Sequence, residues 1–161
     1  MKFIFKLHTQ KSFGKSILFL DRDGVVIEDT GYPSEIKELK IKENTIKKLI
    51  KFKKSKNIFT CGFVTNQSGV GRGYFTEQKF WNTHNYIIKY CIDLGLEVDF
   101  TCVNFFEKSN YFRKPNIGML ETVINYCKAD RTQSFMVGDK ETDKQAAEKT
   151  FLNYKDISYF T

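Results

Sequence analysis

Four short apolar runs, separated by stretches of helical period, constrain this chain more than any other feature of its sequence. ILFL at 17–20, IFTCGFV at 58–64, VDFTCVNF at 98–105 and SFMVG at 134–138 read as buried strands. Between them, residues 44–55 place Ile46, Leu49 and Ile50 at i, i+3 and i+4, which predicts a helix. Residues 76–94 carry Phe80, His84, Ile87, Ile88, Cys91 and Leu94 on one stripe, with Thr76 as the cap and Gly95 as the stop. Residues 116–128 and 141–149 read as two further helices. Strands alternating with helices predict an α/β fold, with a mostly parallel sheet covered by helices on both faces. The length, with 41% apolar residues, suits one domain over residues 1–161. Residues 1–16 form either an N-terminal extension or an edge strand. Residues 151–159 are ambiguous, with a last edge strand as one reading.

Four polar clusters follow these runs or open the next helix. They are Asp21-Arg22-Asp23-Gly24, Thr65-Asn66-Gln67-Ser68-Gly69, Arg113-Lys114-Pro115 and Gly138-Asp139-Lys140-Glu141-Thr142-Asp143. Each alone also fits a turn, a helix cap or, for the first, a calcium-type loop. In an open parallel sheet, however, all four arrive at the carboxyl ends of the strands, where such folds bind ligands. Two acids, a hydroxyl, a lysine and a further acid at one rim are what a Mg²⁺ ion holding a phosphoryl group requires. Asp21 and Asp139 are the natural carboxylates for that hard ion, and with Asp23 they make up the expected metal set. Asp21 can attack phosphorus. Asp23, two residues on, can protonate the leaving oxygen and later activate water. Thr65 and Lys114 would bind the equatorial oxygens, and Gly24 lets the backbone turn beneath the phosphate.

The remaining sequence narrows the class. Net charge is +7, with nine lysines between residues 37 and 56, read mainly as the wet faces of a helix. That run has little aromatic interleaving, so it offers no stacking platform for nucleic acid. Cys61, Cys91, Cys102 and Cys127 are scattered with no CxxC and read as buried reduced thiols. There is no apolar run of membrane-spanning length and no signal-peptide pattern. A cytoplasmic monomer acting on a small molecule, without a membrane or nucleic-acid partner, is expected. His8 matches no motif, while His84 and Trp81 read as packing.

At these residues the chain resembles the haloacid-dehalogenase (HAD) superfamily of phosphohydrolases. Asp21 and Asp23 in DRDG, Thr65 in VTNQSG, Lys114 in RKP, and Asp139 with Asp143 in VGDKETD match its four motifs. The resemblance implies a Rossmann-like three-layer fold with Mg²⁺ and an aspartyl-phosphate intermediate. The stretches SGVGRGYF, RKPNIGML and MVGDKETDKQAA are most similar to the D-glycero-D-manno-heptose 1,7-bisphosphate phosphatase branch, with the histidinol-phosphatases second. This branch implies that substrate is held by Asp29, Thr30, Gly31 and Tyr32, by Asn66, Gln67 and Ser68 beside Thr65, and by Arg113 and Lys140. The intervals between motifs are filled by the elements already named, so no cap domain is expected. Many relatives carry a zinc loop before RKP. Here Cys102 remains, but Asn104, Asn110 and Phe112 stand at the other ligand positions, so no zinc is expected. Two other readings stay open: a nucleic-acid 3′-phosphatase, and a non-catalytic binding protein on the same fold.

Overall fold

The computed structural model describes residues 2–161. Six strands form one sheet in the order β1-β4-β3-β2-β5-β6. They are β1 (Phe3–Leu7), β2 (Ile17–Leu20), β3 (Thr60–Asn66), β4 (Phe100–Asn104), β5 (Phe135–Gly138) and β6 (Asn153–Asp156). β2 to β6 pair in parallel; β1 alone runs antiparallel, with Phe5 opposite Cys102. The crossovers carry helices α1 (Glu43–Ser55), the single turn α2 (Ser68–Gly71), α3 (Glu77–Asp93), α4 (Gly118–Cys127) and α5 (Glu141–Lys149). The expected mostly parallel three-layer fold is therefore present, with element ends shifted by one or two residues.

Period-two alternation sorts each central strand between two cores. In β2, Leu18 and Leu20 face Ile46, Leu49 and Phe52 of α1 and Ile87, Ile88 and Cys91 of α3. Ile17 and Phe19 face the other way, onto Met119, Leu120, Val123 and Ile124 of α4 and Ala146 and Ala147 of α5. All four β2 residues are fully buried, each contributing about 1.5–3 kcal/mol of burial. This strand lies at the centre of the sheet, between β3 and β5, and it delivers Asp21. Thr76 caps α3, its hydroxyl accepting from Lys79 N at 3.2 Å, and Gly95 follows α3 with φ of 100°.

The two undecided stretches take definite forms. Residues 3–7 add the antiparallel edge strand β1. Its Phe3 ring stacks on Phe112 at 4.1 Å between centroids and 5° between planes. Residues 153–156 add the opposite edge strand, β6, followed by a 3-10 turn over Ile157–Phe160. His84 is wholly buried, as packing requires, and stacks on Phe80.

Candidate active site

The carboxyl ends of β2, β3 and β5, with the segment before α4, surround a cleft of about 530 Å³. Asp21 follows β2 directly and is buried. Its Oδ1 accepts from Arg22 N at 2.8 Å and faces Lys114 Nζ at 3.1 Å. Burial pushes its carboxyl up to about 7; Lys114 opposes the rise and Asp143 and Asp23 add to it. Gly24, with φ of 84°, closes the turn after Asp23. Any Cβ there would collide with the Asp139 carboxylate, so a glycine is what allows motif I and Asp139 to approach.

Asp139 ends β5, and Asp143 lies one turn into α5. Oxygen atoms of Asp21, Asp139 and Asp143 lie within 4.8 Å of one another. Two of the three carboxylates, Asp21 and Asp143, share one buried ammonium, since Lys114 Nζ also donates to Asp143 Oδ1 at 2.6 Å and to Val64 O at 2.8 Å. Asp139 Oδ1 is buried with no hydrogen-bond partner, and burial raises its carboxyl pKa despite Lys140. Excess buried negative charge with an unpaired carboxylate oxygen is costly unless a cation joins it. The residues thus fit a divalent ion with hard oxygen ligands.

Asp23 stands outside this cluster. Its carboxylate is held by Arg22 and Gln67, with Arg22 Nε donating to Oδ2 at 2.9 Å. Of the expected metal set, the Asp21 and Asp139 carboxylates meet in the cluster, together with that of Asp143. The sequence signal for Asp143 was its spacing: it sits four residues after Asp139, at the start of a helix. There it also accepts from Lys140 N at 3.1 Å, tying strand end to helix start.

The expected substrate residues divide by where their polar atoms go. Asp29, Gly31, Tyr32, Ser68, Arg113 and Lys140 line the cleft. Lys140 Nζ donates to Asp29 Oδ2 at 2.8 Å. Burial would raise the Asp29 carboxyl, but this bond and the charge of Lys140 bring it below its usual range. Tyr32 lines the cleft and packs edge-on against Tyr74 at 4.9 Å, both rings being exposed. Arg113 anchors through Nη1 to Phe106 O at 3.0 Å. Thr30 is exposed and lies off the cleft lining. Thr65 is buried beneath the floor, its hydroxyl taken by Gln67 Nε2 at 2.9 Å. Asn66 turns its amide onto the Lys114 backbone, donating to Lys114 O at 3.0 Å and accepting from Lys114 N at 3.2 Å. Ser109 and Thr142 also line the cleft; Thr142 lies within the fourth polar cluster, while Ser109 belongs to no motif.

The segment before Arg113 is built from packing. Cys102 is buried in β4, its thiol raised well above its usual range by burial. The Asn104 amide donates to Phe106 O, Asn110 Oδ1 accepts from Phe112 N at 2.9 Å, and Phe112 lies on Phe3.

An acid cluster at the carboxyl ends of a Rossmann-like sheet, with a lysine bridging its first and last acids, defines a phosphatase of the HAD superfamily. Residues 16–160 match the family described as polynucleotide kinase 3 phosphatase, and the chain belongs to it. It is 31% identical over 145 residues to the probable D-glycero-D-manno-heptose-1,7-bisphosphate 7-phosphatase of Thermoplasma acidophilum, covering 88% of this chain and 89% of that protein. It is 36% identical over 143 residues to the D-glycero-beta-D-manno-heptose-1,7-bisphosphate 7-phosphatase of Photorhabdus laumondii, covering 83% and 75%. The histidine biosynthesis bifunctional protein HisB of Legionella pneumophila is 31% identical, covering 89% of this chain but 42% of that protein. Among solved structures, a HAD-like phosphatase from Mesorhizobium loti superposes with a TM-score of 0.83 at 29% identity, covering 93% of this chain and 76% of the other. The D,D-heptose 1,7-bisphosphate phosphatase from B. bronchiseptica, complexed with magnesium and phosphate, gives 0.77 at 25% identity, covering 86% and 78%.

Proposed function

We propose that this phosphatase is Mg²⁺-dependent and removes one phosphate from a heptose 1,7-bisphosphate by way of an aspartyl-phosphate on Asp21. The observation that carries the metal and the chemistry is the cluster of Asp21, Asp139 and Asp143 around the unpaired Asp139 Oδ1. The substrate rests on the named heptose bisphosphatases among the relatives and the heptose phosphatase holding magnesium and phosphate.

Asp21, Asp139 and Asp143 would hold the Mg²⁺, which when bound would offset their charge and polarise the phosphoryl oxygens. Asp21 is aimed by its own hydrogen bonds. Oδ1 is occupied by Arg22 N and Lys114, while Oδ2 accepts nothing among the described residues and is free to attack. As the Oδ2–P bond forms, the bond from phosphorus to the sugar oxygen breaks, and Asp23 gives that oxygen its proton. Water then attacks phosphorus, Asp23 takes the water's proton, and the Asp21–phosphorus bond breaks to release phosphate. Lys114, held by Asp143 and Val64 O, keeps a positive charge next to the attacking carboxylate. Lys140, Arg113 and Ser68 face the cleft as the groups that receive the sugar phosphate, with Tyr32 and Tyr74 as its aromatic wall.

The first test is Mg²⁺-dependent phosphate release from both anomers of the heptose bisphosphate, with histidinol phosphate and 3′-phosphorylated DNA as competitors. Preferred turnover of one heptose anomer supports the reading. Preferred turnover of histidinol phosphate keeps the mechanism and replaces the substrate, in line with the HisB relative. A 3′-phosphorylated polynucleotide is the second reading; the family's description and the exposed Tyr32–Tyr74 pair favour it. We propose a monomer.

A further inference from the structure

Gln67 lies at the cleft floor, yet its amide points into the protein. Oε1 accepts from Arg22 Nη2 at 2.9 Å. Nε2 donates to Asp23 Oδ2 at 2.6 Å and to Thr65 Oγ1 at 2.9 Å. A primary amide has two N–H donors, so neither is left for a ligand. Arg22, 1% exposed, forks the same carboxylate, with Nε on Oδ2 at 2.9 Å and Nη2 on Oδ1 at 3.0 Å. Asp23, Arg22 and Gln67 thus close a ring of mutual hydrogen bonds, and Thr65 hangs from it. Behind the ring, the Arg22 guanidinium carbon lies 5.3 Å from the centre of the Phe80 ring, which is itself stacked on His84. The ring therefore rests on the apolar face of α3.

The groups of this buried network that face Asp23 are all paired, while Arg22 Nη1 points away from it, buried without a partner; such a network holds its geometry through the bonds it makes and loosens when one is removed. Three of these bonds converge on Asp23, the group that must meet the leaving oxygen within hydrogen-bond reach. Without Gln67, the Asp23 carboxylate would lose one of its two restraints. Without the planar fork of Arg22, it would lose the bidentate contact that sets its plane.

We propose that Gln67 and Arg22 are positioning residues that act on the reaction only through Asp23, and that Gln67 is not a phosphate ligand. The proposal rests on the proton-transfer role given to Asp23 above. It has a consequence that direct phosphate binding lacks: the loss should depend on the leaving group. A sugar alkoxide needs the proton of Asp23, whereas p-nitrophenolate departs with little help.

The experiment compares kcat/KM for heptose 1,7-bisphosphate and for p-nitrophenyl phosphate, in wild type, Gln67→Met, Arg22→Lys and the double variant. Gln67→Met keeps the side-chain volume and removes the amide. Each single variant is expected to lose about ten- to a hundredfold on the heptose, at or below the 10²–10⁴ that general acid–base catalysis supplies. Each stays within about threefold of wild type in kcat/KM on p-nitrophenyl phosphate, while kcat and KM for that substrate fall together as the water step that uses Asp23 slows. The double variant loses no more than the worse single one, because both act through one carboxylate. In an Asp23→Asn background, Gln67→Met has no further effect. Equal losses on the two substrates, or a raised KM, would overturn the proposal and make Gln67 a phosphate contact. Failure of both single variants to fold, read by melting, would also overturn it and leave the ring a purely structural element. A wild type inactive on both substrates defeats the proposed function itself, an outcome distinct from the others.

Discussion

His84 shows how one residue's environment becomes a measurable property of the protein. It is wholly buried, its Nε2 lies 2.8 Å from Thr101 Oγ1, and His8 Nε2 is the same distance from that hydroxyl. Burial first, then the charges of Arg22, His8 and Lys6, holds its pKa well below the usual value of 6.5. The unfolded chain therefore takes up a proton near that value while the folded chain does not. Stability is present above about pH 6.5 and falls with pH below it, by about 1.4 kcal/mol per unit, until the folded imidazole also protonates. Chemical denaturation from about pH 7 to about pH 5 should show this contribution as a difference of one proton between the slopes of wild type and His84→Gln, the contributions of His8 and Asp21 being common to both. Identical slopes in the two proteins would mean that His84 titrates normally. At this scale the sequence reveals identities better than directions. Asp21 and Asp139 are legible because each ends an apolar run, and a strand end fixes where the next side chain goes. The family resemblance implies substrate contacts for Asn66 and Gln67. Their partners, the Lys114 backbone, Arg22 and Asp23, lie 44 to 48 residues away in sequence, so no local pattern encodes which way they turn.

At the scale of elements, β1 supports the segment that carries Arg113 and Lys114. Phe105 N donates to Lys2 O at 3.1 Å, Phe3 stacks on Phe112, and Phe5 sits edge-on to Phe100. Phe3→Ala should cost about 1–2 kcal/mol, a fraction of the burial of a whole aromatic side chain since Phe3 is half-buried at a sheet edge. It should also raise KM several-fold while leaving kcat nearly intact, because Arg113 follows Phe112 directly and the Asp21 cluster lies on other strands. Phe3→Leu should restore part of the stability. A fall in kcat at constant KM would contradict this division of labour. The central strands and α3 were legible because their apolar periodicity is strong and their caps, Thr76 and Gly95, are local. β1 was not, because FIFKL alternates weakly and its antiparallel pairing with β4 depends on a strand nearly a hundred residues away.

Across the whole molecule, the acid cluster makes folding and metal binding one equilibrium. Asp21, Asp139 and Asp143 come from two strand ends and a helix, and only the folded chain brings them together. Mg²⁺ at a hundredfold excess over its Kd should add about 2.7 kcal/mol, a rise in Tm of roughly 5–11 °C for a domain of this size. Asp139→Asn should abolish that rise in a melting experiment; an equal rise in the variant would place the ion elsewhere. The architecture was legible as a whole because three apolar runs each end in a polar cluster and the remaining cluster opens a helix, and a parallel sheet brings such clusters to one edge. The charge balance inside the site was less legible. Lys114 serves Asp21 and Asp143 at once, and that sharing depends on the side-chain geometry of the folded site. No helix is long and apolar enough to cross a membrane among the described residues.

The central claim is that Asp21 attacks phosphorus. The most direct measurement is acid quenching of the enzyme during turnover of heptose 1,7-bisphosphate with Mg²⁺, followed by peptide mass analysis. The account predicts one phosphoryl group on the peptide containing Asp21, absent in Asp21→Asn and absent when Mg²⁺ is withheld. Steady phosphate release with an unmodified Asp21 peptide, or full activity in Asp21→Asn, would contradict it.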